Sequence, residues 1–201
     1  MRYGITTKLA LLLILFAVMA AGITGYYSHA QSRRLLVNAA QEDLVNATQV
    51  VGRRMSQTLL EVARNARLLA MVPSTQILTT QPQDNNAQNE LARTFASMLS
   101  LNPEYFQIRL ITAANYGKEL VRIDRDRFAP LRVNGEDLQE KGHYPYVFET
   151  LQLREGEIYL SDIVLNHERG AHQGLEQPTL RVATPVFNAN HEAFGIIVIN
   201  L

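Results

Sequence analysis

Gly156-Glu-Ile-Tyr-Leu-Ser-Asp-Ile-Val-Leu-Asn166 alternates apolar and polar side chains as an extended strand requires. Successive side chains of a strand point to opposite faces, so Ile158 and Leu160 share one face while Tyr159 and Ser161 share the other. One face suits a core and the other suits the wall of a pocket. Arg154-Glu155-Gly156 reads as a turn before the stretch, and His167-Glu-Arg-Gly170 as a polar loop after it. The stretch is expected to be the central strand of a small lobe, with the chain N-terminal to it holding that lobe over a membrane.

Working outward, Thr179 to Phe187, a turn at Asn188-Ala-Asn190 and Phe194 to Leu201 continue the sheet. The last of these is apolar on both faces and is expected in the middle. Upstream, Tyr144 to Leu153 reads as a short helix and Phe128 to Asp137 as a loop. Tyr105 to Thr112 sets Phe106, Ile108 and Leu110 against Gln107 and Arg109; a turn near Asn115-Tyr-Gly117 then leads into Glu119 to Arg125, predicting a β-hairpin. A helix from about Asn89 to Leu101 precedes it, with Asn102-Pro103 as its stop. The fold class is α/β (α+β), an antiparallel sheet flanked by helices.

The N-terminal third is different. Ile5 to Tyr27 has about the ~20 residues that a helix needs to cross a bilayer, with Arg2 and Lys8 on one flank and Tyr26 and Tyr27 on the other. Residues 1–8 are expected in the cytoplasm and 9–27 in the membrane. The competing reading is a cleaved signal peptide ending at Ser28-His29-Ala30; both readings export the rest. Residues 28–72 form a stalk in this reading. Between Gln31 and Met71 there is no proline, and Val37, Ala40, Leu44, Ala47, Val51, Met55, Leu59, Val62, Ala66 and Leu69 recur every three or four positions. Such a helix would extend ~55 Å at 1.5 Å per residue. A stripe this long can serve both the sheet of its own lobe and the same helix of a second copy, which predicts a homodimer. Pro73 ends the helix, and residues 73–201 make the lobe.

Composition removes several functions. With 19 Lys+Arg against 19 Asp+Glu and a formal net charge of +0, the chain lacks the basic excess of a nucleic-acid partner. It has 0 cysteines, so disulfides, thiolate metal sites and cysteine nucleophiles are absent. No phosphate-cradling glycine loop, Gly-x-Ser-x-Gly elbow or His-Glu-x-x-His occurs, so no catalytic residue and no cofactor is predicted. His167, Glu168 and His172 come nearest to metal-ligand spacing and fit no tight motif, so no metal is predicted.

A small-molecule cleft is the remaining chemistry. Arg122 and Arg181 sit on strand faces where a guanidinium needs an anionic partner, either a carboxylate such as Asp124 or Asp162 or a ligand's own acid group. Tyr144, Tyr146 and Tyr159 offer flat apolar surface with a hydroxyl tip. With Lys141, Ser161 and Asp162 they complete the candidate ligand set: Arg122, Lys141, Tyr144, Tyr146, Tyr159, Ser161, Asp162 and Arg181.

Glu119-Leu-Val-Arg-Ile-Asp-Arg125, Leu138-Gln-Glu-Lys141, Gly156-Glu-Ile-Tyr-Leu-Ser161, Leu165-Asn166, Pro178-Thr-Leu-Arg-Val-Ala-Thr-Pro-Val-Phe187 and Phe194-Gly-Ile-Ile-Val-Ile-Asn200 resemble, in order and spacing, the periplasmic double-Cache (PAS-like) sensor domains of bacterial membrane histidine kinases and diguanylate cyclases. The resemblance covers roughly residues 28–201. It implies a membrane-distal PAS-like lobe on a long helix, followed in the family by a membrane-proximal lobe, a second membrane helix and a cytoplasmic output module; this chain would stop where the distal lobe finishes. It also implies a signal-transduction role in the inner membrane with the lobe in the periplasm. Amino-acid-sensing members carry an arginine and an aromatic pair before the opening strand, whereas this chain reads Lys141-Gly-His-Tyr-Pro-Tyr-Val147, with Tyr144 near the arginine position. That departure argues against an amino-acid ligand. The expected function is extracytoplasmic sensing of a small metabolite, which the arginines favour as an anion; the alternative is an interaction module without a pocket.

Overall fold

A computed structural model of the chain describes residues 4–126, 129–165 and 178–201. It divides into two compact units, Met1–Ser56 and Gln57–Leu201. Helix α1, Ile5–Met71, begins in the first and ends in the second. Within the first unit Lys8–Arg33 is long and apolar enough to cross a membrane. Further along that unit Leu44, Val51 and Met55 are exposed. In the second unit the same apolar stripe changes its fate: Val62, Ala66 and Leu69 are buried in the core and Leu59 packs against it.

Proline sets the next boundary. Val72 takes an extended conformation (φ −62°, ψ 146°), as a residue before proline prefers, and Pro73 opens a further helix, α2, Pro73–Thr80. The carbonyls left over at the end of α1 are satisfied from α2: Thr75 Oγ1 donates to Leu69 O at 2.7 Å and Gln76 Nε2 to Ala70 O at 2.8 Å. Asp84 caps helix α3, Asn85–Leu101, accepting from Asn86 N and Ala87 N at 2.8 and 3.2 Å, so this helix starts four residues before the expected Asn89. At its other end Arg125 donates to the carbonyls of Tyr105 (2.9 Å), Asn102 (3.0 Å) and Leu99, a cation where the helix dipole is negative.

Among the described residues eight strands follow: β1 Gln107–Thr112, β2 Glu119–Asp126, β3 Ala129–Val133, β4 Tyr159–Leu160, β5 Val164–Leu165, β6 Pro178–Thr179, β7 Arg181–Phe187 and β8 Ala193–Asn200. Helix α4, Pro145–Leu151, lies between β3 and β4 in sequence. Six strands form one antiparallel sheet in the order β3-β2-β1-β8-β7-β4, and β5 pairs with β6 in a separate ribbon. The predicted hairpin β1–β2 and the central place of β8 are both present.

Two expectations are corrected. The stretch from Gly156, expected to be the central strand, is not central: two residues, Tyr159 and Leu160, pair at the sheet edge with Ala183 and Val182, and the chain then leaves to pair Val164 and Leu165 with Thr179 and Pro178, while Asn166 lies outside the described residues. Within the expected loop Phe128–Asp137, residues 129–133 pair with β2 as the opposite edge strand; Phe128 lies outside the described residues. Pro130 in that strand is tolerated because an edge strand has one unpaired side.

The two faces of the sheet differ. Ile108, Leu110, Val121, Ile123, Val182, Ile197 and Ile199 pack with α1, α2 and α3 in the main core. On the other face Ile111, Ala183, Ile196 and Val198 pack with Tyr146 and Val147 of α4. A bulge where Leu110 pairs with Val121 and Ile111 with Glu119 leaves Leu120 unpaired, and Leu120 packs on the main core rather than beside Arg122.

Candidate functional site

The face of the sheet that carries α4 also carries charge. Gln107 Nε2 donates to Asp124 Oδ1 at 2.9 Å, and Arg122 grips the same carboxylate through Nε at 2.8 Å and Nη2 at 2.7 Å. Arg122 Nη1 reaches Glu119 Oε2 at 3.4 Å, and Arg109 Nη1 donates to Glu119 Oε1 at 3.1 Å. Arg109 Nη2 donates to Asn200 Oδ1 at 3.3 Å, and Asn200 Nδ2 returns to Gln107 Oε1 at 2.7 Å. Six side chains thus close a ring, each no more than 1% exposed. Burial alone would lower the Arg122 guanidinium; the hydrogen bonds and charges of Asp124 and Glu119 raise it above its ordinary value despite repulsion from Arg109.

A cleft of about 380 Å³ opens beside this ring. Tyr144, Pro145 and Tyr146 enter it from the start of α4, Tyr159, Ser161 and Asp162 from β4 and the residues after it, Val164 and Leu165 from β5, and Arg181 from β7. The local sequence explains the assembly. At the β1–β2 turn Asn115, Tyr116 and Gly117 all have positive φ, and the turn clasps the chain leading to α4: Lys141 N donates to Gly117 O and Gly142 N to Tyr116 O, both at 2.8 Å. The approach is so close that a Cβ on Gly142 would lie 2.6 Å from Tyr116 O. Tyr144 then occupies the N-cap position of α4 without a side-chain capping bond, and Pro145 occupies its first turn.

Of the eight predicted ligand residues, six line this cleft: Tyr144, Tyr146, Tyr159, Ser161, Asp162 and Arg181. Arg122 belongs to the buried ring instead, ion-paired with Asp124 and Glu119. Lys141 lies behind the wall, its Nζ bonded to Gln139 Oε1 at 2.8 Å and 5.2 Å from the centre of the Tyr144 ring. Ser161 lines the cleft with its hydroxyl engaged: it accepts from Arg181 N at 2.9 Å and donates to Asp162 O at 2.7 Å. His167, Glu168 and His172 lie outside the described residues.

Tyr146 is the centre of the wall. The guanidinium of Arg109 lies 5.5 Å from its ring centre and that of Arg181 5.1 Å, while Tyr144 stacks on it at 5.8 Å. Burial raises the Tyr159 hydroxyl above its ordinary value, helped by the carboxylates of Glu149 and Asp162 and opposed by Arg181. Sequence reading missed Arg109, Glu119 and Asn200. The clue available was Arg109 and Gln107 sharing a strand face opposite Ile108 and Leu110, which reads as a solvated face until the partners from β2 and β8 are known.

A family model described as bacterial histidine kinase, sensor domain, matches residues 49–201. Among solved structures, a domain of a sensory box/GGDEF family protein from Vibrio parahaemolyticus superposes with TM-score 0.65 at 22% identity, covering 75% of this chain and 55% of that one. The extracellular domain of a histidine kinase follows at TM-score 0.63 and 23% identity, covering 75% and 52%. The sensor domain of the V. cholerae histidine kinase DctB gives TM-score 0.51 at 18% identity, covering 80% and 56%. The chain therefore spans about half the length of the structures it resembles. No curated protein matches by sequence.

Proposed function

Because the chain belongs to the bacterial histidine kinase sensor-domain family, in which it is a sensing rather than a catalytic domain, we propose that residues 57–201 bind a small extracytoplasmic metabolite in the cleft between α4, β4 and β7. In this reading residues 9–27 anchor the chain in the inner membrane, the lobe faces the periplasm, and the exposed part of the stalk joins two copies. A histidine kinase or diguanylate cyclase module would carry the output.

The observation that supports the reading is the cleft. Three tyrosines, an aspartate and an arginine from three separate elements converge on one cavity of about 380 Å³, within the range of small-molecule sites. A module built only to bind a protein has no need of such a concavity.

The test is a ligand screen by thermal shift on the whole chain in nanodiscs, because a ligand that binds the folded state raises the melting temperature. A stabilising compound is expected, and Leu165→Trp, which fills the cleft from an exposed position, should abolish its effect. A compound whose effect survives Leu165→Trp binds elsewhere, and the cleft would lose its role.

A further inference from the structure

A second cavity, of about 410 Å³, shares no lining residue with the cleft. It forms where the chain entering α3, the β1–β2 turn and the single 3₁₀ turn Gly135–Asp137 come together. Leu120, Leu138 and Phe194 give it an apolar surface; all three are half-buried, and Leu120 and Phe194 also pack on the main core. A ligand that covers such a surface releases its water, and the volume is in the range of small-molecule sites.

The two charged residues of the lining are not equivalent. Glu119 has both carboxylate oxygens engaged: Oε1 accepts from Arg109, and Oε2 from Arg122 and from Gln139 N at 3.0 Å. Lys118 is exposed, and among the described residues its side chain makes no ion pair and no hydrogen bond. Glu140 stands opposite it in an isolated antiparallel bridge, but lines a different cavity and forms no ion pair with it. The side-chain amides of Gln83 and Asn115 are likewise without a partner, whereas Gln88 donates its own to Pro82 O at 2.7 Å. An ammonium ligand would meet Lys118 as like charge, and a neutral apolar one would leave it unused; a carboxylate answers it and can accept from the amides.

We propose that this second cavity binds a small organic acid with an apolar body, its carboxylate paired with Lys118 and its body against Leu120, Leu138 and Phe194. The site is independent of the cleft and of the reading given to it above.

Benzoate, benzamide and benzylammonium share one ring and differ in charge, which makes them the probes. Calorimetry is run on the whole chain in nanodiscs carrying Leu165→Trp, so that the cleft is filled and the second cavity open. Benzoate should bind about fivefold tighter than benzamide, the upper range for an ion pair open to solvent, and benzylammonium should bind weakest. Lys118→Gln should remove the advantage of benzoate and Lys118→Arg restore it; Lys118 is exposed, so neither disturbs the core. Ala114→Trp, which brings a ring into the cavity from an exposed position, should abolish benzoate binding. The proposal is overturned if benzoate does not bind, if benzamide or benzylammonium binds as tightly, or if Lys118→Gln or Ala114→Trp leaves benzoate unchanged. Benzoate that binds the parent chain and not Leu165→Trp is a ligand of the cleft, which overturns the second site and supports the first.

Discussion

Asp124 takes three hydrogen bonds from Gln107 and Arg122 with no surface open to water, so its removal would leave a buried guanidinium without its main partner. Breaking a buried pair costs about 3–5 kcal/mol. Asp124→Ala is therefore expected to lower stability by that amount in urea denaturation, whereas Asp162→Asn at the exposed mouth should stay within about 0.5 kcal/mol of the parent. Equal losses in the two variants would refute the assignment of Asp124 to the interior. Tyr105 offers a pH-dependent test. Its buried hydroxyl accepts from Asn65 Nδ2 at 2.8 Å, and burial raises it above its ordinary 10.0, with Asn65 opposing. The folded chain then holds that proton at a pH where the unfolded chain has released it, so the stability it contributes is present below pH 10.0 and lost as pH rises through the raised value. Tyr105→Phe should flatten the alkaline fall in melting temperature and cost about 0.5–1.5 kcal/mol near neutrality. The Arg122–Asp124 pair was legible, being two positions apart on one strand face. Arg109 with Asn200 was not, because strand pairing brings them together across 91 positions.

At the level of elements, the clasp between the β1–β2 turn and the chain before α4 fixes where Tyr144 and Tyr146 stand. Gly142→Ala would put a methyl group 2.6 Å from the Tyr116 carbonyl oxygen, and backbone has to move to admit it. Overpacking of this kind costs about 1–3 kcal/mol. Since the displaced chain carries the cleft wall, ligand affinity should fall along with the melting temperature, while Gly22→Ala, with open space around it, should change neither. Loss of stability with intact affinity would show that the clasp does not position the wall. The hairpin, the central β8 and the helix at Pro145 were readable because their signals are local: alternation, a turn with glycine, a proline at a helix start. β3 was not, since Ala-Pro-Leu-Arg-Val pairs on one side alone and lacks alternation. The 156–166 stretch misled for the opposite reason: its alternation is real, but which neighbour a strand pairs with is decided elsewhere in the chain, and here the partner changes from β7 to β6 within five residues.

For the whole molecule the open proposals are topology and assembly. A phosphatase fused after Leu201 should be active, as only a periplasmic enzyme would be, and a fluorophore that folds only in the cytoplasm should stay dark there; the reverse pattern would end the membrane reading. Assembly is read from Leu44, Val51 and Met55, which continue the apolar stripe yet are exposed. Having 0 cysteines, the chain allows a unique probe: Leu44→Cys should cross-link between copies in membranes. Adding Val51→Glu and Met55→Glu would place like charges in the seam and should abolish the cross-link. If Leu44→Cys never cross-links, the stripe serves the lobe alone, through Val62, Ala66 and Leu69.

The buried ring of Gln107, Asp124, Arg122, Glu119, Arg109 and Asn200 has no free end, and a loop behaves differently from a chain when it is cut. One cut leaves every member still attached to a neighbour but strands two groups; a second cut on the far side strands groups that have already relaxed. Gln107→Leu and Glu119→Gln should therefore cost less together than the sum of each alone, a coupling of about 0.5–3 kcal/mol between residues that meet only through other members of the ring. Such interdependence makes the three strands β1, β2 and β8 hold their register as one unit, so the arginine behind Tyr146 moves only when all of them do.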